Sequence, residues 1–236
     1  MTDVEIIENP ELEANCEEVS DTTEFIRGLI PPSSEPIARM EHYAQEYHVP
    51  IIQPEVAQWL RVFLKTRTFE HVLEIGTAIG YSAAIFAEGI HADGHIDTIE
   101  IDAEKVTIAC ANLDELGYAQ TVTVHCGDAA DVLETLQGPY DLVFLDAAKG
   151  QYLRYLKKIE PMLCDGAVVI SDNVLFRGML ASKEKFKKRK RTIVKRLREY
   201  LNYLMTAESY ESALLPIGDG MAFSVYSKGN TNHEEN

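Results

Sequence analysis

The chain has 236 residues with 46% apolar content, enough for one ordinary domain with a large core. No run approaches the roughly 18 uninterrupted apolar residues of a spanning helix, and the N-terminus lacks the basic start and apolar stretch of a signal peptide, so no membrane partner and a cytoplasmic location are expected. The net charge of -16 would argue against nucleic acid if it were evenly spread, but residues 1–24 hold nine acids and no Lys or Arg, whereas residues 183–198 hold ten of the 22 basic residues against a single acid.

In chain order, residues 1–22 read as a flexible acidic tail, residues 23–229 as the folded domain and residues 230–236 as a C-terminal tail. Helices are predicted over about 34–47, with Ser34 as cap, and 54–65, where Pro54 suits a first helical turn. From residue 70, short β-branched runs alternate with amphipathic stretches: "HVLEIG", helix 80–89, "HIDTIE", helix 103–117, "TVTVHC", helix 129–136, "YDLVFLD", helix 151–160 and "AVVISD". Five strands separated by helices imply a parallel sheet covered on both faces. A long helix over about 184–206 then precedes "ESALLPIG" and "MAFSVYS", which Gly218-Asp219-Gly220 joins into an antiparallel hairpin at the sheet edge. Cys16, Cys110, Cys126 and Cys164 lack CxxC spacing and read as reduced, packed thiols.

Chemistry concentrates at the strand ends. In "LEIGTAIGYSA", Gly76 and Gly80 lie between the first strand and the next helix, where glycine lets backbone approach a ligand and the helix start offers free N-H groups, although such a turn can equally be a tight connection. Glu100 ends the second strand, the place where doubly wound folds put a ribose-binding acid. The spacing is GxxxG rather than GxGxxG, which favours adenosine with a small charged tail, such as S-adenosylmethionine, over a pyrophosphate.

Asp146, Asp172 and Asn173 all emerge at the carboxyl ends of parallel strands. Converging oxygen donors suit a hard divalent cation such as magnesium, or manganese, better than zinc; the alternative is that each only caps the segment after it. Lys149 would look into the same crevice as a general base, or stand as a solvated lysine at a helix start. Trp59 and Phe63, four apart on a helix, read as core, and His125 as a packed or hydrogen-bonded imidazole. Asp219 reads as turn chemistry, with substrate contact as the alternative.

The runs "LEIGTAIGYSA", "TIEID", "GDA", "VFLDAAKGQY", "ISDNV" and "IGDGMAFSVY" resemble the metal-dependent class I O-methyltransferases of the catechol and caffeoyl-CoA group, over about residues 35–228. That resemblance implies a Rossmann-like α/β fold with a seven-stranded, mostly parallel sheet, S-adenosylmethionine as donor and a magnesium-like ion. It assigns Asp146, Asp172 and Asn173 to the metal and Lys149 to catalysis, with Asp146 lying between metal and donor. Donor binding falls to Gln53, Gly76, Ser82, Glu100, Asp128 and Ala129. Where catechol methyltransferase has bulky aromatics after its first metal-binding Asp, this chain has Ala147 and Ala148, which implies a wider or differently walled acceptor pocket.

For the acceptor, the basic stretch favours a polyanion, since phosphate contacts supply most non-specific nucleic-acid affinity. Arg177, Lys187, Lys188, Arg189, Lys190 and Arg191 are the candidate RNA contacts. "FIRGLIPP", "RTIVKRLREYLNYL" and "LLPIGDGMAFSVYSK" are further similar to bacterial tRNA 5-hydroxyuridine O-methyltransferases, which implies the wobble base in the tRNA anticodon as acceptor, its 5-hydroxyl lying beside a 4-carbonyl. Small catechols or phenylpropanoid phenols are the alternative acceptors, an RNA-binding module with a vestigial pocket is a third reading, and the resemblance also implies a homodimer.

Overall fold

A computed structural model of the chain describes residues 20–182 and 187–229. The chain divides into two compact units, Met1–Pro31 and Pro32–Asn236. Within the first, helix α1 (Asp21–Leu29) starts at Ser20, whose Oγ accepts a hydrogen bond from the Thr23 N-H at 3.2 Å. This cap satisfies one of the open amides of the first turn, and the helix was not foreseen from the sequence.

The second unit opens with α2 (Glu35–Glu46) and α3 (Pro54–Phe63), each with proline in its first turn, where the missing N-H costs nothing. Then β1 (His71–Ile75), β2 (His95–Glu100), β3 (Val122–Cys126), β4 (Tyr140–Leu145) and β5 (Leu163–Ser171) alternate with α4 (Tyr81–Gly89), α5 (Ala103–Glu115), α6 (Ala129–Val132) and α7 (Tyr152–Ile159). After β5 come α8 (Lys188–Thr206), β6 (Tyr210–Leu215) and β7 (Met221–Tyr226). One seven-stranded sheet forms in the order β3-β2-β1-β4-β5-β7-β6, parallel from β3 to β5 and antiparallel at β7 and β6. The expected edge hairpin is therefore present, although it turns through five residues, 216–220, and places β6 rather than β7 at the edge.

Alternate strand residues feed opposite cores, as the period of two requires. Val72, Leu142, Phe144, Val168 and Ile170 pack with α2 to α5, while Leu73, Ile75, Val143, Leu145 and Val169 pack with α6 to α8. With both faces covered, the central strands are apolar runs rather than alternating ones. Phe144 is fully buried against Phe86, ring centroids 5.3 Å apart, and truncating it to Ala should cost about 3–5 kcal/mol. Trp59 and Phe63 belong to this packing as expected, stacked at 5.1 Å and each meeting Phe223 edge-on. His125 is likewise a partnered imidazole, 2.6 Å from Asp97 Oδ1.

Some boundaries differ. Helix α6 stops at Val132, short of the expected 136, and β5 begins at Leu163, ahead of its apolar run. The start expected for α8 at 184 falls within 183–186, outside the described residues. Cys110 and Cys126 are free but exposed, not packed. Cys110 lies one step round α5 from the buried Ala109, and Cys126 closes the edge strand β3, beyond which no further strand pairs among the described residues. Cys16 lies outside the described residues. Among those residues, no helix is long and apolar enough to cross a membrane.

Candidate active site

Strand register builds the site. Ile75, Leu145 and Ser171 are aligned across β1, β4 and β5, so the residues that follow them, Gly76, Asp146 and Asp172, line one rim. The Asp146 N-H donates to Ile75 O at 2.9 Å and the Asp172 N-H to Leu145 O at 3.0 Å, continuing the ladder into the site. This is the crevice outside the carboxyl ends of the strands where open parallel sheets bind ligands.

On the β1–β2 side, Gly76 has φ 108°, and a Cβ there would overlap the carbonyl oxygen of Asp146. Glycine is thus demanded by the neighbouring strand tip as much as by any ligand. Gly80, at φ 86°, turns the chain into α4. Glu100 is buried; its Oε2 accepts from the Ala78 N-H at 2.9 Å and its Oε1 from the Asp102 N-H at 3.0 Å. It therefore ties the end of β2 to the glycine turn. Ser82 is buried in the first turn of α4. Asp128 caps α6 through its Oδ1, which accepts from the Ala130 N-H at 2.8 Å, and Ala129 is buried beside it. Gln53 precedes α3 and lies under the β6–β7 connection, its Cγ 3.8 Å from where a Cβ of Gly218 would stand.

One residue on this side escaped the sequence reading. Glu74 is fully buried inside β1; its Oε2 accepts from the Thr98 hydroxyl at 2.5 Å, and Thr98 is hydrogen-bonded in turn to Thr77 in the glycine turn. Burial pushes its carboxyl up to about 7, against the Ser82 and Thr98 hydroxyls, which favour the ionised form. The signal was present: an acid between apolar neighbours in "VLEIG" cannot reach water from a central parallel strand.

On the β4–β5 side, Asp146, Lys149, Asp172 and Asn173 come together. Lys149 stands in a 3-10 turn (Lys149–Gln151), and its Nζ donates to Asn173 Oδ1 at 2.7 Å and lies 3.6 Å from Asp146 Oδ1. Asn173 has φ 53°, a left-handed conformation that Asn tolerates better than most residues. Asp172 is fully buried; its Oδ1 accepts from the Asn173 N-H at 2.7 Å, while its Oδ2 has no hydrogen-bond partner among the described residues. Burial raises the pKa of both acids; the charge of Asp146 adds to the rise at Asp172, and Lys149 opposes it at both.

An orphaned buried carboxylate oxygen is costly unless a cation meets it. The donors on this side are two carboxylates and an amide oxygen, all hard oxygen ligands, and a lysine ammonium already bridges two of them. These residues fit a magnesium-like ion. They are not a cage of acids and imidazoles: among the described residues no three His, Cys, Asp or Glu side chains gather as a metal site.

Asp219 ties two loops together. Its Oδ1 accepts from the Arg177 N-H at 2.6 Å, while the N-H groups of Val174 and Leu175 donate to Gly220 O and Asp219 O, which fastens the segment after β5 to the hairpin. Lys187, Arg189, Lys190 and Arg191 are exposed at the start of α8, and Lys188 is its first residue. The helix packs on the Lys149 turn, with Arg196 Nη1 donating to Gly150 O at 3.3 Å. The cationic stretch thus leads into the helix that flanks the Lys149 side of the crevice.

A sheet of this order, with a glycine turn and an acid on adjacent strand tips, defines the Rossmann-like methyltransferase fold. The chain belongs to the O-methyltransferase family, whose sequence pattern it matches over residues 37–226. It is 28% identical over 207 residues to a caffeoyl-CoA O-methyltransferase of Stellaria longipes, covering 83% of this chain and 85% of that one. A catechol O-methyltransferase of Niastella koreensis is 29% identical over 131 residues, 54% of this chain and 59% of the relative. Among solved structures, the O-methyltransferase TomG of Streptomyces achromogenes, in complex with SAM, superposes with a TM-score of 0.77 at 25% identity, covering 87% of this chain and 95% of TomG.

Proposed function

We propose that the protein transfers a methyl group from S-adenosylmethionine to one of two adjacent oxygens on its acceptor, with a divalent cation held by Asp146, Asp172 and Asn173. The observation that carries this reading is the buried, unpartnered Oδ2 of Asp172 in a set of hard oxygen donors beside the Gly76 turn. When bound, magnesium or manganese supplies Lewis-acid charge that favours the acceptor oxyanion. Lys149, once its ammonium has given up a proton to solvent, is placed to receive the acceptor's hydroxyl proton at Nζ, three residues after Asp146. Gly76, Ser82 and Gln53 would hold the methionine end of the donor, Glu100 its ribose, and Asp128 with Ala129 its adenine. Holding both reactants on adjacent strand tips gives the in-line approach that the displacement needs.

The named relatives speak for a small catechol or phenylpropanoid phenol as acceptor, whose vicinal oxygens suit one ion. Ala147 and Ala148 leave room for such a ring. A second reading, 5-hydroxyuridine at the tRNA wobble position, is supported by α8, whose exposed cations lead into the helix that packs on the Lys149 turn.

The deciding experiment offers purified protein, S-adenosylmethionine and Mg2+ a catechol, a caffeoyl thioester and tRNA bearing 5-hydroxyuridine. Turnover of the phenols alone supports the first acceptor, and turnover of the tRNA alone supports the second. Neutralising Lys187, Lys188, Arg189 and Arg191 together should leave small-phenol turnover near wild type. The same change should weaken RNA binding and flatten its salt dependence. Activity that survives both a chelator and Asp146→Ala would remove the cation reading.

A further inference from the structure

We infer that α8 braces the active site, with Tyr200 holding the Asp172 tip and Arg196 holding the Lys149 turn, so that both act as positioning residues. The inference rests on the reading above, in which Asp172 and Lys149 carry chemistry. Simple docking of an amphipathic helix needs only an apolar stripe, and α8 has one in Val194, Leu197, Leu201 and Leu204, all buried. Polar links beyond that stripe call for a separate reason.

Tyr200 is fully buried, and its hydroxyl is hydrogen-bonded to Ser171 Oγ, the buried last residue of β5 and the one immediately before Asp172. Its ring meets that of Tyr152 edge-on at 5.5 Å, and the Tyr152 hydroxyl donates to the backbone carbonyl of Asp172 at 3.1 Å. Two tyrosines in contact with each other therefore hold the strand end, one at the side chain just before Asp172 and one at the Asp172 carbonyl. Phenylalanine would fill the same space without carrying hydroxyls into a dry core, where they cost free energy unless bonded. The hydroxyls are thus aimed at the strand tip.

One helical turn earlier on α8, Arg196 donates to the carbonyl of Gly150, the residue after Lys149. Its Cδ lies 3.6 Å from where a Cβ of Gly150 would stand, with Ile193 Cγ1 at 4.0 Å, so the turn is packed beneath the helix. Lys149 Nζ in turn contacts the side chains of Asn173 and Asp146. A single rigid element thereby sets the two halves of the cation and proton site relative to each other. Misplacement by about 1 Å at such a site can cost on the order of 100-fold in rate.

Tyr200→Phe keeps the ring and deletes one hydroxyl; Arg196→Ala deletes the link to Gly150, and Arg196→Lys retains a donor. The measurements are Mn2+ affinity by electron paramagnetic resonance, S-adenosylhomocysteine affinity by calorimetry, melting temperature, and kcat with acceptor KM for whichever acceptor named above is methylated. For Tyr200→Phe, Mn2+ binding should weaken several-fold and kcat fall about tenfold, with KM and S-adenosylhomocysteine affinity unchanged. For Arg196→Ala, kcat should fall by a similar factor with Mn2+ affinity intact, and Arg196→Lys should recover part of the loss. Wild-type Mn2+ affinity and kcat in both Tyr200→Phe and Arg196→Ala would overturn the inference. So would losses matched by equal losses of S-adenosylhomocysteine affinity, which general loosening of the fold would produce. If the wild type binds no Mn2+ but methylates an acceptor, the cation reading fails by itself and the kcat values decide the brace. If it does neither, the brace has nothing to position and falls as well.

Discussion

The two halves of the crevice are finished to different degrees. At the tip of β2 both oxygens of Glu100 accept backbone N-H groups, while inside β1 Glu74 accepts from Thr98 at Oε2 and its buried Oε1 has no partner among the described residues. At the tips of β4 and β5, Asp172 Oδ2 has none, and two acids with raised pKa values face one lysine. The tip of β2 is therefore tied down by the protein's own backbone, whereas the tip of β5 keeps an open oxygen that a cation would meet under the function proposed above. Buried polar groups persist half-satisfied mainly where function requires it.

The largest expected effect breaks this contrast on its open side. Asp172→Asn should lower kcat by about 1,000-fold, the scale of losing one preorganised electrostatic contributor. The same change should raise the melting temperature of the metal-free protein, because it removes a buried, unpartnered anion. A variant that is less stable than wild type without metal would mean that the oxygen is satisfied in solution.

Next in size is a test of the β1–β2 side. Glu74 titrates near 7 in the fold against about 4.5 when unfolded, so the folded state binds the proton more tightly. Its contribution to stability is then full below about pH 4.5 and is lost as pH rises through about 7, worth on the order of 3 kcal/mol at most. Denaturant titrations from pH 4.5 to 8 should show this slope, and Glu74→Gln should flatten it. An identical slope in the variant would assign the effect to other acids.

Gly76→Ala joins the two halves. The new Cβ would overlap the Asp146 carbonyl and sit at positive φ, so a loss of roughly 2 kcal/mol or more is expected, with S-adenosylhomocysteine and Mn2+ affinities falling together. Loss of one affinity without the other would show the tips to be independent. The smallest effect is graded: Mg2+ should raise the melting temperature more at pH 8 than at pH 6, since binding needs Asp172 ionised and its pKa is raised.

Much of this was readable along the chain. Apolar runs of four to six residues ending in Gly76, Glu100, Asp146 and Asp172 announce parallel strands with chemistry at their tips. Period and tip identity are local properties, so the parallel sheet, its antiparallel closure and the cluster of Asp146, Lys149, Asp172 and Asn173 were legible. Glu74 was passed over because a burial that depends on both sheet faces is not visible in a five-residue window. Helix α1 was missed because acidic composition outweighed a single serine cap. Cys110 was misplaced because one position on a helix turns a side chain by about 100°.

Sequence alone determined which residues stand at the strand ends, since alternation, turn residues and charge reversal are written along the chain. Tertiary structure decided which tips are neighbours, which carboxylate oxygen is left without a partner, and that α8 reaches both Ser171 and Gly150. Those facts depend on strand order and register, which bring together residues dozens of positions apart, and no local pattern encodes that distance.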